Sequence, residues 1–191
     1  MGAFYGLGID NAFVEIDNEE VPILDGSAKE FIEKLTISGL KKSEVPIKII
    51  KIKKKVELKE DNRSINITPT NNNFEVKFTL HYEKSPLIQN QTNSTNFKEK
   101  NLEHIYTART FCLHEDIKAI QSIGLAKGGS LDNAVVVQGE KILNEGGLRS
   151  KKEFVNHKIL DLVGDFMLSG IRVIGSVECE HGVHALTCLL Y

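Results

Sequence analysis

The clearest periodic pattern in the chain lies between residues 152 and 168. Apolar side chains recur there at the spacing of an α-helix, at Phe154, Val155, Ile159, Leu160, Leu162, Val163 and Phe166. This spacing predicts a long helix whose broad apolar face packs against a core. A second helix is predicted after Ser27, which forms a capping box with Glu30, and it ends at Gly39.

The remaining predicted elements are shorter. Apolar and β-branched runs predict strands at 12–16, 47–59, 65–68, 74–82, 134–137 and 170–177. Short helical stretches are predicted at 1–8, 102–109, 115–123 and 184–190, and the polar stretch 89–101 is predicted to be a loop or an irregular strand. Because helices and strands are segregated rather than alternating, the fold class is predicted to be α+β, not a doubly wound parallel sheet.

Three polar residues interrupt the long helix at regular intervals. His157, Asp161 and Asp165 are spaced i, i+4 and i+8, which places them along one face of the helix. His184 follows in the next segment. Imidazole and carboxylate groups together suit metal binding and acid–base chemistry, so a zinc-dependent hydrolytic site is one interpretation. On spacing alone, a surface polar pair worth a few tenths of a kcal/mol is the commoner meaning.

Composition narrows the class of protein. The 191 residues suffice for one large domain or two small ones, and 41% hydrophobic and 26% charged residues are typical of a soluble globular protein. The net charge of −2 gives no electrostatic reason to expect nucleic acid as a partner. No apolar run reaches the roughly 18 residues of a membrane span. Cys112, Cys179 and Cys188 lack metal-binding spacing and indicate reduced thiols in a cytoplasmic protein.

Two segments each allow two interpretations. The lysine-rich stretch 48–55 could bind nucleic acid or anionic lipid, but its interleaved isoleucines favour a solvated edge strand protected by lysines. The apolar stretch 171–177 is consistent with either a buried core strand or the lining of a passage for an acyl chain.

Seven stretches together resemble one enzyme family. They are GLGIDN at 6–11, EVPILDGSA at 20–28, ARTF at 108–111, GGSLDNA at 128–134, LNEGGLR at 143–149, HKILDLVGD at 157–165 and HAL at 184–186. In this order they resemble the zinc-dependent UDP-3-O-acyl-N-acetylglucosamine deacetylases of lipid A biosynthesis. The resemblance implies two α/β sandwich domains packed helix face to helix face. Residues 1–42 would end the first domain, which would be incomplete, and residues 43–191 would form the second.

The resemblance also implies a role for each candidate site residue. His157 and Asp161 would be zinc ligands, and Asp165 would orient His184, the catalytic acid. Lys158, Thr110 and Phe111 would contact the substrate, a small UDP-linked 3-O-acyl glucosamine whose acetamide is hydrolysed. Zn²⁺ is the implied cofactor, and the oligomeric state is left open.

The family's remaining site residues have no counterpart in the sequence. Aligning GLGIDN places the family's Glu-His pair, the base and the third zinc ligand, immediately before Met1. We therefore expect an impaired deacetylase, or alternatively a non-catalytic remnant or fragment that retains the fold. Substitute ligands by residue type alone are Glu103, His104, His114 and His181.

Overall fold

The computed structural model describes residues 1–18, 20–99, 101–122, 124, 128–181 and 184–189, with only the backbone at 120, 185 and 186. Its helices are α1 (Gly2–Leu7), α2 (Lys29–Ser38), α3 (Glu103–Tyr106), α4 (Ile117–Ser122), α5 (Glu153–Leu168) and α6 (His184–Cys188), with a 3₁₀ turn at His114–Asp116. Its strands are β1 (Ile49–Lys51), β2 (Val56–Glu60), β3 (Arg63–Thr68), β4 (Phe74–Leu80), β5 (Gln91–Asn96), β6 (Phe111–Leu113), β7 (Val135–Gln138), β8 (Lys141–Ile142) and β9 (Arg172–Glu180). The α+β prediction is confirmed.

The larger sheet has the strand order β2-β3-β9-β4-β5, and β1 pairs with the first residues of β9. Strand β9 is central: it runs antiparallel to β3, with Ile65 opposite Cys179, and parallel to β4, with Val76 opposite Val177. Alternate residues of β4 and β9 point into the core, as a sheet covered on one face requires. Helix α5 covers that face, which gives a two-layer arrangement.

Helix α5 forms where the periodic pattern predicts it. Phe154, Ile159 and Val163 are fully buried, so the predicted apolar face is the one that packs on the sheet. Helix α1 crosses α5 where Gly164 faces the backbone of Gly2, and a Cβ on Gly164 would lie 3.2 Å from the Gly2 nitrogen. Next to this contact, Leu160, Asp161 and Asp165 of α5 line a cleft together with residues of the segment 1–47.

The smaller sheet, β6-β7-β8, begins next to the proposed site. Strands β6 and β7 are parallel, with Phe111 opposite Val135, and β7 and β8 are antiparallel. Neither β6 nor β8 was predicted, because three and two residues are too few to show a period.

The strand predicted at 12–16 is wrong. These residues have no assigned strand structure, and Phe13 and Val14 are 89% and 55% exposed. Apolar, β-prone residues form a strand only when a neighbouring strand completes their hydrogen bonds. By contrast, β5 is polar throughout and still forms a strand, because it pairs with β4 over six residues.

The predicted helix after Ser27 is confirmed, with its start one residue later than expected. The N-cap is Ala28, and the Ser27 hydroxyl accepts a hydrogen bond from the Lys29 amide at 3.1 Å. Gly39 ends the helix with a φ of 76°. The lysine-rich segment contributes strand β1, whose residues are all exposed, as in a solvated edge strand. The division into domains at residues 42 and 43 stays a prediction.

Candidate metal centre and active-site cleft

His157 is held by a hydrogen bond from one ring nitrogen. Its Nδ1 lies 3.0 Å from the carbonyl oxygen of Ala108, and a carbonyl can only accept, so Nδ1 carries the hydrogen. The other nitrogen, Nε2, therefore presents its lone pair when the ring is neutral. It lies 3.3 Å from Oδ1 of Asp161, one helical turn further along α5. This nitrogen and this carboxylate oxygen are both electron-pair donors, and at this distance they can bind the same cation.

The second oxygen of Asp161 is bound by a lysine. Lys158 Nζ donates to Oδ2 at 3.0 Å. Burial disfavours the charged form of Asp161, but the His157 ring, when it is protonated, and the Lys158 ammonium outweigh this effect and hold the pKa of the carboxyl below its usual value. The carboxylate is thus available as an anionic ligand at neutral pH.

The second polar pair joins α5 to α6. His184 Nδ1 lies 2.9 Å from Oδ1 and 3.0 Å from Oδ2 of Asp165. This hydrogen bond raises the pKa of His184 above its usual value, against the opposing effect of partial burial. Asp165 is almost buried, whereas the His184 side chain is 66% exposed. The arrangement favours the imidazolium form, in which Nε2 also carries a proton.

Thr110 is fixed by its backbone. Its amide donates to the Gly26 carbonyl at 2.8 Å, and its carbonyl accepts from the Val135 amide at 2.7 Å. The next residue, Phe111, packs its ring against Phe154, with the ring centroids 4.9 Å apart. The Lys158 ammonium lies 5.7 Å from the centroid of the Phe111 ring, so this ring and Asp161 together position the lysine.

A cleft of about 1360 Å³ brings most of the candidate residues together. Its lining includes His157, Asp161, Asp165, His184 and Thr110. Apolar side chains from residues 1–47 supply much of the remaining wall, among them Phe4, Ile9, Val21, Ile23, Phe31 and Leu35. Lys158 and Phe111 lie outside the described lining. A polar site beside an apolar wall suits a substrate that has both a reactive polar group and a hydrocarbon part.

A second cleft, of about 560 Å³, lies at the ends of β4 and β9. The rings of His81 and His181 face each other there with centroids 5.3 Å apart, and Tyr82, Lys84 and Asp116 also line it. Burial, together with the charges of His81 and Arg63, lowers the pKa of His181. The ring of Tyr82, which lines this second cleft, lies 6.0 Å from that of Phe111.

The chain matches the family described as UDP-3-O-acyl N-acetylglycosamine deacetylase (LpxC) over residues 1–191. It belongs to this family. Similar curated proteins are the UDP-3-O-acyl-N-acetylglucosamine deacetylases of Nautilia profundicola, Nitratiruptor sp. and Helicobacter pylori, which are 44%, 42% and 40% identical over 191 residues. The matches cover 100% of this chain and 64%, 63% and 64% of those proteins. The chain therefore spans slightly less than two thirds of the length of these proteins. Their name, deacetylase, describes a hydrolase.

Membership of the LpxC family agrees with the resemblance drawn from the seven motifs. The four residues that could substitute by type as zinc ligands gain no support from the structure. Glu103, His104, His114 and His181 are absent from the described lining of the larger cleft, and His181 lies in the second one. Among the described residues, no three His, Cys, Asp or Glu side chains gather closely enough to hold a metal ion. Residues 171–177 do not line the larger cleft either, and their buried members, such as Val173 and Val177, belong to the core.

One buried carboxylate of this LpxC family member was not predicted as a site residue. Glu153 is fully buried and forms an ion pair with Arg109, whose Nε lies 2.8 Å from Oε1. It stands one turn before His157, so the polar line on α5 has four members rather than three. In the sequence, Glu153 lies four residues before His157 and continues the same helical spacing. A charged residue in the first turn of a helix is ordinarily exposed, so this spacing did not indicate a site residue.

No helix within the described part of the chain combines the length and the apolar character needed to span a membrane.

Proposed function

We propose that this chain provides the zinc-binding and proton-donating side of a deacetylase. Its substrate would be UDP-3-O-acyl-N-acetylglucosamine, the compound in its relatives' names, and its products the free amine and acetate, as in lipid A biosynthesis. The observation that carries the proposal is the pairing on α5 of an oriented histidine nitrogen and an ionised carboxylate, 3.3 Å apart.

The donor set fits zinc. Imidazole nitrogen and carboxylate oxygen are both common zinc ligands, and a histidine whose other nitrogen donates to a carbonyl has the orientation that such ligands usually show. His157 and Asp161 would hold the ion. A bound zinc ion would polarise the amide carbonyl and make a water molecule nucleophilic at neutral pH.

His184 supplies the proton that the leaving amine needs. Its hydrogen bond to Asp165 fixes the ring and keeps a proton on Nδ1, so Nε2–H faces the cleft as the donor. After water attacks the carbonyl carbon, this proton passes to the amide nitrogen as the C–N bond breaks. The same positive charge stabilises the oxyanion that forms on the carbonyl.

The remaining candidate residues would contact the substrate. Thr110 lines the cleft beside His157, where it can bind the scissile amide. Lys158 lies over the ring of Phe111, which contacts Tyr82 of the second cleft, and that cleft also offers the tilted rings of His81 and His181 and a lysine. A nucleoside diphosphate combines an aromatic base with negative charge, so we place the UDP group there. The apolar wall of the larger cleft would then receive the acyl chain.

Turnover by these 191 residues alone should be slow. Zinc hydrolases normally use three protein ligands and keep one position open for water. His157 and Asp161 provide two, and the described residues add no third. The alternative is a non-catalytic protein that keeps the fold and the zinc pair without turnover.

Acetate release from UDP-3-O-acyl-N-acetylglucosamine in long incubations, followed by mass spectrometry, tests the proposal. We expect slow, zinc-dependent release that is lost in His157→Ala and His184→Ala. Zinc binding without any release would favour the non-catalytic alternative. Fast release, or release that resists removal of zinc by a chelator, would contradict the proposed site.

A further inference from the structure

Every lone-pair direction of the buried Glu153 carboxylate is directed at a donor. Oε1 accepts from the backbone amide of Arg109 at 3.1 Å and from its Nε at 2.8 Å. Oε2 accepts from Arg109 Nη2 at 3.2 Å and from the backbone amide of Arg149 at 2.6 Å. A fully buried carboxylate is tolerated only with such complete pairing, so this arrangement is specific for glutamate.

Three of these four donors belong to Arg109, on the segment that holds His157. Residues 107–110 pass over the first turns of α5, and Glu153 binds the amide of Arg109, at the peptide bond that contains the Ala108 carbonyl. That carbonyl accepts the hydrogen bond from His157 Nδ1. The peptide group of Ala108 and Arg109 is thus held at its N–H by Glu153, while its oxygen holds His157. The plane of one peptide group therefore connects Glu153 to the ligand.

We propose that Glu153 is a positioning residue for the metal centre. By fixing the peptide between Ala108 and Arg109, it keeps the hydrogen of His157 on Nδ1 and the lone pair of Nε2 directed at the cation site. The expected effect on zinc affinity rests on the proposed function. The expected effect on the His157 ring does not, because it exists without zinc.

Glu153→Gln is the informative variant, because it keeps the shape and replaces one acceptor oxygen by an NH₂ group. That NH₂ group must face either the Arg109 guanidinium and amide or the Arg149 amide, which are all donors. In the first orientation, the peptide that carries the Ala108 carbonyl loses its fixed partner and rotates away from its present plane. In the second orientation, the side chain loses its contacts with Arg109 Nη2 and the Arg149 amide, so it holds that peptide less firmly. His157 can then place its hydrogen on either nitrogen.

The first measurement is the tautomer of His157 in zinc-free protein, read from ¹⁵N chemical shifts of the ring at a pH where it is neutral. We expect the Nδ1–H form in the wild type and a clear population of the Nε2–H form in Glu153→Gln. Glu178→Gln, at an exposed position on β9, is the matched control and should leave the wild-type tautomer unchanged. An unchanged tautomer in folded Glu153→Gln would overturn the proposal.

The second measurement is zinc affinity by titration calorimetry. Loss of groups that orient metal ligands typically weakens binding about 10- to 100-fold, and we expect at least the lower figure for Glu153→Gln and no change for Glu178→Gln. Equal affinity in both variants would contradict the positioning role. If the wild type binds no zinc, the proposed function fails, and the tautomer measurement still decides the role of Glu153.

A second variant keeps the test decisive if Glu153→Gln does not fold. Arg109→Lys retains a positive charge but loses the two-pronged contact with Glu153, so the carboxylate is free to shift. We expect a smaller change in the His157 tautomer in the same direction. A folded Arg109→Lys protein with the wild-type tautomer would contradict the proposal.

Discussion

At the scale of single residues, the site depends on which ring nitrogen each histidine uses for its hydrogen bond. His157 donates from Nδ1 to a neutral carbonyl, which leaves an unprotonated nitrogen for a cation. His184 donates from Nδ1 to a carboxylate, which favours the fully protonated ring. Under the proposed function, two residues of the same type would thus take opposite roles, ligand and acid, because of the charge of the group behind them.

The pairing with Asp165 predicts how His184 titrates. Its pKa lies above the ordinary 6.5, so the stabilisation from this pair is complete below pH 6.5 and is lost as pH rises through the folded-state value. In Asp165→Asn, the pKa of His184 should fall towards 6.5, as measured by NMR titration of the ring protons. His181, whose pKa is lowered by burial and by other neighbours, is the internal control. A His184 titration that ignores the substitution would refute the pairing.

Lys158 should weaken metal binding. Its ammonium lies 3.0 Å from Asp161 Oδ2 and repels a second cation beside the same carboxylate. Removing that charge in Lys158→Met should strengthen zinc binding several-fold, since a unit charge at short range in a wet site is worth about 1 kcal/mol. Lys152→Met, which loses contacts to the Thr92 carbonyl and the Asn93 side-chain oxygen, is the control in the same calorimetric titration. Weaker zinc binding in Lys158→Met alone would show that the lysine supports the site instead.

At the scale of elements, the centre is the meeting point of α5 with two irregular segments. Residues 107–110 hold His157 and present Thr110, and residues 25–28 hold the 107–110 segment in turn. Gly26 accepts from the Thr110 amide, and the Ala28 amide donates to Tyr106. Arg149 links these two segments, because its Nη1 donates to Asp25 and to the Thr107 carbonyl. The cleft wall beside the metal site is thus built by backbone contacts rather than by regular structure.

Gly26 is the most constrained point of this contact. It has a φ of 79°, and a Cβ there would collide with the backbone carbonyl of Asn133. Gly39 has a nearly equal φ of 76° with open space around it, so Gly39→Ala measures the backbone strain alone. We expect Gly26→Ala to cost about 1–3 kcal/mol more free energy of unfolding in urea than Gly39→Ala, as overpacking does. Equal losses would mean that the two segments are not in tight contact.

The sequence predicted the elements whose pattern is long enough to be unambiguous. Helix α5 spans several turns, and its polar line appeared in the spacing of His157, Asp161 and Asp165. Glu153 belongs to the same line and was missed, because no local pattern shows that a charged residue will meet Arg109 across 44 positions of the chain. For the same reason, neither the Ala108 carbonyl behind His157 nor the absence of a partner strand at 12–16 could be inferred from local sequence.

At the scale of the whole molecule, the site lies where residues 1–45 face helix α5. Residues 1–45 contribute the apolar wall, and α5 contributes the polar line of His157, Asp161 and Asp165. The fold therefore places an apolar wall and the histidine–carboxylate pair of α5 in one cleft. This combination suits the acylated sugar named in its relatives better than either feature alone would.

A ligand that binds only the folded chain must stabilise it, so zinc should raise the melting temperature. At a free zinc concentration about 100 times the dissociation constant, the gain is about 2.7 kcal/mol, which corresponds to roughly 5–10 °C for a chain of this size. Magnesium, which prefers six oxygen ligands, is the control ion and should have little effect. The shift should vanish in His157→Ala, and a shift that survives in that variant would place the zinc elsewhere, for example on the cysteines.

A calorimetric titration of the wild type, His157→Ala and Asp161→Asn with zinc tests the proposed metal centre most directly. We expect one zinc ion per wild-type chain, no binding to His157→Ala, and much weaker binding to Asp161→Asn, because His157 Nε2 and the Asp161 carboxylate would hold the ion. Equal stoichiometry and affinity in all three proteins would contradict the proposed centre.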